Sequence, residues 1–429
     1  MITRRRLLLS MPPALALVSA AATAATPAES AGWAGRLDGV WHWRLPNTPN
    51  GLKPIQSWHA TGSAPDGDIY VGGMDHATNA ALYRVDRRGG LLRYLGDARA
   101  ASEAAGNWRP GETAEKFHTR PLWFGGKVYV ATLDRSTLDD AYLGRRGFHW
   151  YAYDPAQDRF SDLSAREPGG VGAPHLGLVT LAGDPARNVI YGAAIPTAEL
   201  FRYDVARGRT EALGRPASYD SRYLYTGRVM WVDSRGRLYF TAGSPQYEPA
   251  ADPAIYGHIH YYDPATGGFG ERRDWQLAEP RALETGQAID NGRRRVFADD
   301  QGHVYRFDDE GPAWSYLGKM QVPEAELWVW VLQVSADGAR AYYITSSWMP
   351  QANPATLCEF DLATGESRRL CALDALDPVL GLLFLHTGYD AWDGEGRFYF
   401  TSFTSDTDAH VVLTRVDPAR LKSALRLSL

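Results

Sequence analysis

Tyr151-Ala152-Tyr153-Asp154 is one of seven short runs in which aromatic or β-branched residues lead up to an aspartate. The other six runs close at Asp86, Asp204, Asp263, Asp308, Asp361 and Asp417. The separations of 45 to 68 residues between successive aspartates are regular, and a period of about 50 residues is what four antiparallel strands and their turns require. The sequence therefore predicts a repeat protein.

A second motif precedes each aspartate run, a short β-rich segment that carries an aromatic residue. The seven segments are centred on Tyr70, Tyr129, Tyr191, Tyr239, Val296, Tyr342 and Tyr399. Most follow a turn rich in Gly or Asn, such as Asp66-Gly67 or Asn291-Gly292, and such residues tolerate the positive φ of a tight hairpin. The two motifs thus predict four strands in each repeat. The seven repeats predict one all-β domain, a seven-bladed β-propeller over residues 33–429.

Composition and charge exclude some partners. The formal net charge is −5, which gives no electrostatic basis for binding nucleic acid or an anionic membrane. The 43 Gly and 26 Pro residues suit many short strands joined by turns.

The first 25 residues predict a signal peptide. Arg4-Arg5-Arg6 precedes an apolar run and then a segment of small residues, the order typical of a secretory signal. The adjacent arginines resemble a twin-arginine signal, and a Sec signal stays open. We expect a periplasmic or secreted protein, in which Cys358 and Cys371 are either free or bridged.

Aligning the repeats places a polar residue at the start of most innermost strands. This ring contains His59, His118, His175, Tyr225, Glu284 and His386. Two long loops deliver His149 from blade two and His258 with His260 from blade four, and His76 lies on the corresponding loop of blade one. Long loops among short ones usually serve binding, so we expect a site at this mouth of the channel.

Two chemistries suit such a ring. Imidazoles could hold Zn²⁺, Mn²⁺ or a similar cation, with Glu284 or Gln287 completing the shell. Alternatively, His and Tyr could exchange protons with a sugar acid. Five arginines favour the anionic ligand, and three tryptophans could stack on sugar faces: Arg120, Arg145, Arg146, Arg222 and Arg228, with Trp58, Trp123 and Trp150.

Two blade-two segments resemble one enzyme family. Lys116-Phe117-His118-Thr119 and Gly147-Phe148-His149-Trp150-Tyr151-Ala152-Tyr153-Asp154-Pro155 are similar to motifs of the seven-bladed propeller polysaccharide lyases, which include ulvan lyases and rhamnose-α-1,4-glucuronate lyases. The insertion between the two histidines, residues 134–146, departs from the family pattern.

The resemblance implies a polysaccharide lyase that cleaves rhamnose-α-1,4-glucuronate linkages or similar bonds by β-elimination. It implies His118 and His149 as a catalytic pair, with Tyr225 and Arg228 beside them and Tyr191 and Arg222 as rivals. The expected substrate-binding residues are His59, His76, Arg120, Trp150, His175, Arg222, Glu284 and His386. We expect a monomer that binds an anionic oligo- or polysaccharide and requires no cofactor, with a bound Ca²⁺, Zn²⁺ or Mn²⁺ left open.

Three other readings compete with this one. A metal-dependent enzyme like oligogalacturonate lyase would use His59, His175 and His386 as ligands. A glycan-binding propeller would show the same mouth without turnover. A glycoside hydrolase usually needs two opposed carboxylates, and Glu284 is the only acidic residue in the ring.

Overall fold

The structure, a computed structural model, describes residues 28–86, 90–134, 139–243, 255–321, 328–346, 355–404 and 410–427. The predicted signal peptide, residues 1–25, lies outside the described residues. The described part begins with three short strands: β1 (Glu29–Ala31), β2 (Trp33–Ala34) and β3 (Val40–Arg44).

Five separate antiparallel blades follow, each with four strands in chain order. Blade 1 holds β4 (Thr61–Ser63), β5 (Ile69–Met74), β6 (Ala80–Val85) and β7 (Leu91–Asp97), with β1 paired to β7. Blade 2 holds β8 (Leu122–Phe124), β9 (Lys127–Ala131), β11 (Trp150–Asp154) and β12 (Arg159–Asp162), whereas β10 (Gly147–Phe148) pairs with β13 (Ala173–Pro174). Blade 3 holds β14 (Gly177–Asp184), β15 (Val189–Ile195), β16 (Leu200–Asp204) and β17 (Arg209–Gly214). Blade 4 holds β18 (Trp231–Val232), β19 (Leu238–Phe240), β20 (His258–Asp263) and β21 (Gly268–Gln276), and blade 5 holds β22 (Leu283–Ile289), β23 (Arg294–Asp299), β24 (His303–Asp308) and β25 (Ala313–Lys319).

The remaining strands form one nine-stranded sheet. It contains β26 (Trp328–Val334), β27 (Arg340–Ser346), β28 (Thr356–Asp361), β29 (Ser367–Ala372), β30 (Leu385–Tyr389), β31 (Phe398–Phe403) and β32 (Val412–Val416), together with β2 and β3. A short parallel pairing between β26 and β30 joins its two antiparallel halves. The prediction of an all-β propeller is confirmed, but the structure has five separate blades and not seven, because this pairing makes the last two predicted blades continuous.

The innermost strands close into a ring around a channel. Strand β4 contacts β8, β8 contacts β14, β14 contacts β18, β22 contacts β26, β26 contacts β30, and β30 returns to β4. The backbone N–H of Arg228 donates to the carbonyl of Leu283 at 3.0 Å and links the fourth and fifth blades. Pairing of β3 with β32 joins the two ends of the described chain.

Helices are short and peripheral: α1 (Ala98–Ala104), α2 (Leu373–Leu376) and α3 (Pro418–Ala424). None of the helices in the described part is long and apolar enough to cross a membrane.

Among the described residues, five of the seven repeated aspartates cap turns. Strands β11, β16, β20, β24 and β28 all end at the aspartate. In Asp361, Oδ1 accepts hydrogen bonds from the backbone N–H groups of Ala363 and Thr364 at 2.8 and 2.9 Å. Equivalent bonds are made by Asp154, Asp204, Asp263 and Asp417. The aspartate therefore recurs because its carboxylate accepts hydrogen bonds from the backbone of the turn that follows it.

Cys358 and Cys371 are buried free thiols. A bulge in the ladder between β28 and β29 pairs Cys358 with Arg369 and Cys371 with Leu357. The two cysteines are thus offset and not directly opposite each other.

Isolated bridges position the mouth of the channel. In two blades, the segment just before the innermost strand pairs with the residue just after the second strand of the same blade. Phe117 pairs with Thr132 in blade 2, and Thr226 pairs with Ala242 in blade 4. Gln56 and Met74 form the same kind of bridge in blade 1. The residues beside these bridges are therefore held in extended segments at one end of the channel.

Candidate active site

A pocket at this end of the channel brings together side chains from four blades and from β26. Its volume is about 200 Å³, and we call it the candidate pocket. Its lining consists of Trp58, His76, Lys116, His118, Leu133, Val179, Ile195, Tyr225, Arg228 and Trp330. Of the predicted site residues, the structure thus places His76, His118, Tyr225 and Arg228 around one cavity.

Arg228 connects the pocket to a buried carboxylate. Its Nη1 donates to Nε2 of His118 at 2.6 Å, and its Nε lies 2.7 Å from Oε2 of Glu284. Burial raises the pKa of Glu284 to about 7, although the nearby Arg228 acts in the opposite direction. Tyr389 donates its hydroxyl hydrogen to the carbonyl of Arg228 at 3.3 Å. The ion pair with Glu284 therefore holds the guanidinium in place while Arg228 lines the cavity.

His118 is stacked on His59 and is neutral at physiological pH. The two rings lie 5.6 Å apart with an interplanar angle of 18°. Burial, reinforced by the positive charge of Arg228, lowers the pKa of both imidazoles well below the usual value of 6.5. His59 has a φ of 53°, in the region that favours glycine. It does not line the pocket but supports the ring that does.

Lys116 adds a second cationic group to the pocket. Its Nζ donates to Nε2 of His76 at 3.2 Å. Burial lowers the pKa of Lys116 to about 8. Burial and the neighbouring lysine lower the pKa of His76 to about 4. The pair therefore carries one positive charge at neutral pH, on the lysine.

Aromatic rings form part of the pocket wall. Trp58 packs edge to face against Trp330, with ring centroids 5.4 Å apart. The indole N–H of Trp58 donates to Oε1 of Gln56 at 2.7 Å, which holds one indole in position. Such rings, together with Tyr225, give the pocket an apolar surface.

His149 does not reach the pocket, which is inconsistent with its predicted role in proton transfer. Its side chain is only 4% exposed, and its Nδ1 and Nε2 lie 3.0 Å from Asp162 and 2.8 Å from Glu112. Burial alone would lower the pKa of His149, but the hydrogen bonds to the two carboxylates raise it above its usual value. An imidazolium held on both sides by carboxylates cannot accept a proton, so this geometry does not favour His149 as the base, and its role in proton transfer stays a prediction.

Three further predicted residues lie away from the candidate pocket. The ring of His175 is exposed, and its Nδ1 contacts the carbonyl of Arg145 at 2.8 Å. Arg222 is exposed and pairs with Asp140. Trp150 is buried in the core of blade 2, where its indole N–H donates to Thr210. The structure does not bring these three residues to the candidate pocket, and their role in substrate binding stays a prediction.

His386 and Arg120 face other parts of the channel. Nδ1 of His386 contacts the hydroxyl of Ser402 at 2.8 Å, and burial lowers the pKa of this imidazole to about 3. Arg120 pairs with Asp390 and lies over the ring of Tyr389. Neither side chain lines the candidate pocket.

The rival tyrosine and the proposed amide ligand are occupied elsewhere. Tyr191 is fully buried between blades, and burial raises its pKa to about 12. The amide of Gln287 donates to the carbonyl of Val334 at 2.7 Å. Tyr225 therefore has the better placement of the two tyrosines.

Lys116, Tyr389 and Trp330 are site residues that sequence reasoning did not select. Lys116 precedes His118 by two positions, and the bridge at Phe117 fixes the segment as extended. Alternate residues of an extended chain point to the same side, so the motif itself contained the signal for Lys116. Val329-Trp330-Val331 aligns with the ring positions of the other repeats, but Trp330 is not one of the His, Tyr or Glu residues that defined the ring. Tyr389 carried no comparable signal.

The predicted metal ligands do not converge. Within the described ranges, no group of three or more His, Cys, Asp or Glu side chains is placed to share an ion. Of the predicted set, His175 is exposed, whereas His59 and His386 are buried with separate neighbours.

Comparisons with known proteins support the fold. No family model and no curated protein sequence matches this chain. The structure is similar to that of an oligogalacturonate lyase in complex with manganese, with a TM-score of 0.53 and 11% identity over 92% of this chain and 98% of that chain.

Two other solved structures are similar to the same degree. One is the β-propeller domain of Cps50 (Swd1) from Myceliophteria thermophila, with a TM-score of 0.50 and 12% identity over 84% of this chain and 98% of that chain. The other is a chain of a mitotic checkpoint complex, with a TM-score of 0.51 and 11% identity over 97% of this chain and 99% of that chain. At such low identity these similarities show the propeller fold alone, because one fold hosts many functions.

Proposed function

We propose that this protein is a lyase that cleaves a glycosidic bond next to a uronic acid by β-elimination. The observation that carries the proposal is the contact of a neutral imidazole, His118, with the guanidinium of Arg228 inside one pocket. The reaction needs a base for the proton on C5 and a positive charge for the adjacent carboxylate. The similarity in fold to an oligogalacturonate lyase is consistent with this chemistry.

Substrate binding rearranges the hydrogen bond between the two groups. In the structure, a hydrogen of Nη1 of Arg228 occupies the lone pair of His118. A uronate carboxylate accepts hydrogen bonds from guanidinium more strongly than a neutral imidazole does. The carboxylate therefore accepts the hydrogen bond from Nη1 in place of His118. The lone pair of His118 is then free to accept the proton on C5.

The elimination then proceeds with the remaining pocket residues. His118 takes the C5 proton, the electron pair of the C–H bond forms the double bond between C4 and C5, and the bond from C4 to oxygen breaks. Tyr225 gives its hydroxyl proton to the departing oxygen. Arg228 and Lys116 balance the negative charge that develops on the carboxylate.

Lys116 also favours an anionic sugar over a neutral one. Together with Arg228 it places two positive charges on a cavity whose lining contains no Asp or Glu among the described residues. The absence of a carboxylate pair from that lining disfavours the usual glycosidase mechanism. Trp58 and Trp330 supply the apolar surface against which a sugar face packs.

The pocket does not suit a divalent cation such as the manganese of the similar lyase structure. Lys116 and Arg228 would repel it. His118 and His76 each already accept a hydrogen bond from one of these cationic groups. No step of the proposed mechanism uses a metal ion.

We also make proposals about the substrate, the location of the protein and the number of blades. We propose that the substrate carries rhamnose-α-1,4-glucuronate linkages and that the protein acts as a periplasmic or secreted monomer. We further propose that the nine-stranded sheet corresponds to two blades, which would give seven blades in total and match the seven repeats of the sequence.

A panel of uronate-containing glycans tests the proposal. The panel contains a rhamnose-α-1,4-glucuronate oligosaccharide, an oligogalacturonate and a neutral oligosaccharide. We expect an unsaturated uronate, detected by ultraviolet absorbance and mass, from the first substrate and none from the neutral one. Saturated products, or no product from any acidic glycan, would refute the lyase assignment.

A further inference from the structure

A second cavity lies further along the channel. We call it the arginine cavity, because three arginines line it: Arg120, Arg228 and Arg295. It has a volume of about 190 Å³ and extends along β14, β18 and β22 to residues 185, 232 and 288. The candidate pocket lies at the start of these strands, so the two cavities follow one another along the axis, with Arg228 lining both.

Positively charged side chains line this cavity. Among the described residues, its lining holds three guanidinium groups and no carboxylate. Arg120 and Arg228 have partners outside the lining, Asp390 and Glu284. In the described part of the chain Arg295 forms no ion pair, and its Nη1 donates only to the carbonyl of Gly292 at 3.0 Å.

The surroundings strengthen the attraction for an anion. Leu122, Phe124, Val229, Trp231 and Phe297 give the cavity apolar walls, and charges interact more strongly beside such walls than in water. Burial lowers the pKa of Arg295; the carboxylate of Asp309 raises it, the guanidinium of Arg120 lowers it and the carboxylate of Asp233 raises it. Arg120 therefore lies close enough to Arg295 for the two positive charges to interact. Guanidinium groups match the geometry of carboxylate and sulfate.

We propose that the arginine cavity is a second binding site, which takes an oxyanion, either a carboxylate of an acidic sugar or an inorganic anion such as sulfate. Arg295 and Arg120 bind the oxyanion, and the aromatic wall excludes water. This inference does not depend on the elimination chemistry, because binding here requires no turnover.

Isothermal titration of the full chain tests the site, with sulfate and glucuronate as separate probes at low ionic strength. We expect Arg295→Gln to weaken binding by about tenfold, as expected for loss of a charged hydrogen-bond donor. The matched control is Arg293→Gln, which removes an exposed arginine paired with Glu310 in the same blade and leaves the affinity unchanged. Unchanged affinity in Arg295→Gln, or no binding of either probe to the wild type, would overturn the proposal.

A second variant guards against a folding defect. Ala288 lines the cavity and is exposed, so Ala288→Glu introduces a negative charge without removing an arginine. We expect it to weaken binding as well, and wild-type affinity in this variant would contradict the proposal.

Two further experiments identify the source of the oxyanion and the location of the site. Binding of glucuronate without sulfate identifies a sugar carboxylate as the ligand, and competition between the two identifies a general oxyanion site. In His118→Ala, sulfate binding is retained if the arginine cavity is the site. Loss of binding there would place the anion in the candidate pocket and refute the inference, whatever the outcome of the elimination assay.

Discussion

Nη1 of Arg228 lies 2.6 Å from Nε2 of His118, although the two residues are 110 positions apart in the chain. In the proposed mechanism, this bond couples the carboxylate-binding group, Arg228, to the base, His118, since one hydrogen of the guanidinium occupies the lone pair that the base needs. A substrate that lacks a carboxylate leaves this bond in place. In the proposed mechanism, displacement of this contact by a carboxylate would account for both the release of the His118 lone pair and the selection of acidic sugars.

Replacement of His118 by Ala should reduce turnover by about 10²- to 10⁴-fold, the usual contribution of a general base. Initial rates on the rhamnose-glucuronate substrate measure the loss, and circular dichroism checks the fold. His175→Ala is the matched control, because this imidazole is exposed and contacts only the Arg145 carbonyl. Near wild-type turnover in His118→Ala would remove this residue from the mechanism.

Replacement of Arg228 by Ala should lower kcat by about 10²- to 10³-fold, since the guanidinium is expected to stabilise charge that develops in the transition state. The exposed Arg222 offers the control substitution Arg222→Ala, for which we expect wild-type kinetics. A rise in KM with unchanged kcat in Arg228→Ala would show that the residue binds substrate without assisting the chemistry.

The pH dependence of activity should fall on the alkaline side with the titration of Lys116. Burial lowers the pKa of this lysine to about 8, so its positive charge is lost as the pH rises through that value. Arginine does not titrate in this range. Lys116→Arg should therefore keep activity to higher pH, as measured by kcat/KM from pH 6 to 10. An alkaline limb unchanged by this substitution would mean that another group titrates.

Replacement of His149 by Ala should destabilise the fold by about 3 kcal/mol, because Glu112 and Asp162 would be left buried without their partner. Urea denaturation measures the loss. His175→Ala again serves as control, with little expected change. Equal stability of His149→Ala and the wild type would show that the contacts with the two carboxylates do not stabilise the protein.

The effect of His149 on stability should depend on pH in a defined direction. Its pKa is raised in the folded state, so its contribution is fully present below its unfolded value of about 6.5 and is lost as the pH rises through the folded value. The pKa values of Glu112 and Asp162 are held down by hydrogen bonds from His149 against the effect of burial. Their contribution is lost as the pH falls through those lowered values, so the difference from wild type should be largest between about pH 5 and 6.5.

Replacement of Asp361 by Ala should cost about 1 kcal/mol of stability without changing turnover, by analogy with the loss of a capping side chain. Asp308 is the matched comparison, because its carboxylate contacts the side chain of Arg306 at 3.1 Å and, among the described residues, accepts no hydrogen bond from the turn that follows it. We expect Asp308→Ala to cost less in urea denaturation. A selective loss of activity in Asp361→Ala would contradict a purely structural role.

The propeller was predictable because its determinants are local. Asp361 terminates its strand through hydrogen bonds within three residues of itself, and the aspartates of four other repeats make the same kind of bond. The continuity of the last two predicted blades was not predictable, because the pairing of β26 with β30 depends on segments more than 50 residues apart.

The site was predictable only in part for a similar reason. Sequence alignment of the repeats places His118, Tyr225 and Arg228 at one level, where the structure brings them together. His149 has a matching motif, but its role is decided by Glu112, which reaches it from a distant loop. No pattern within blade 2 reveals that partner, so the orientation of His149 required the tertiary structure.

Cleavage of the rhamnose-glucuronate substrate in heavy-oxygen water tests the central claim most directly. Elimination breaks the bond between C4 and oxygen without adding water, so we expect an unsaturated uronate product and no heavy oxygen in either fragment at the moment of cleavage. A saturated product that carries heavy oxygen would show hydrolysis and contradict the account.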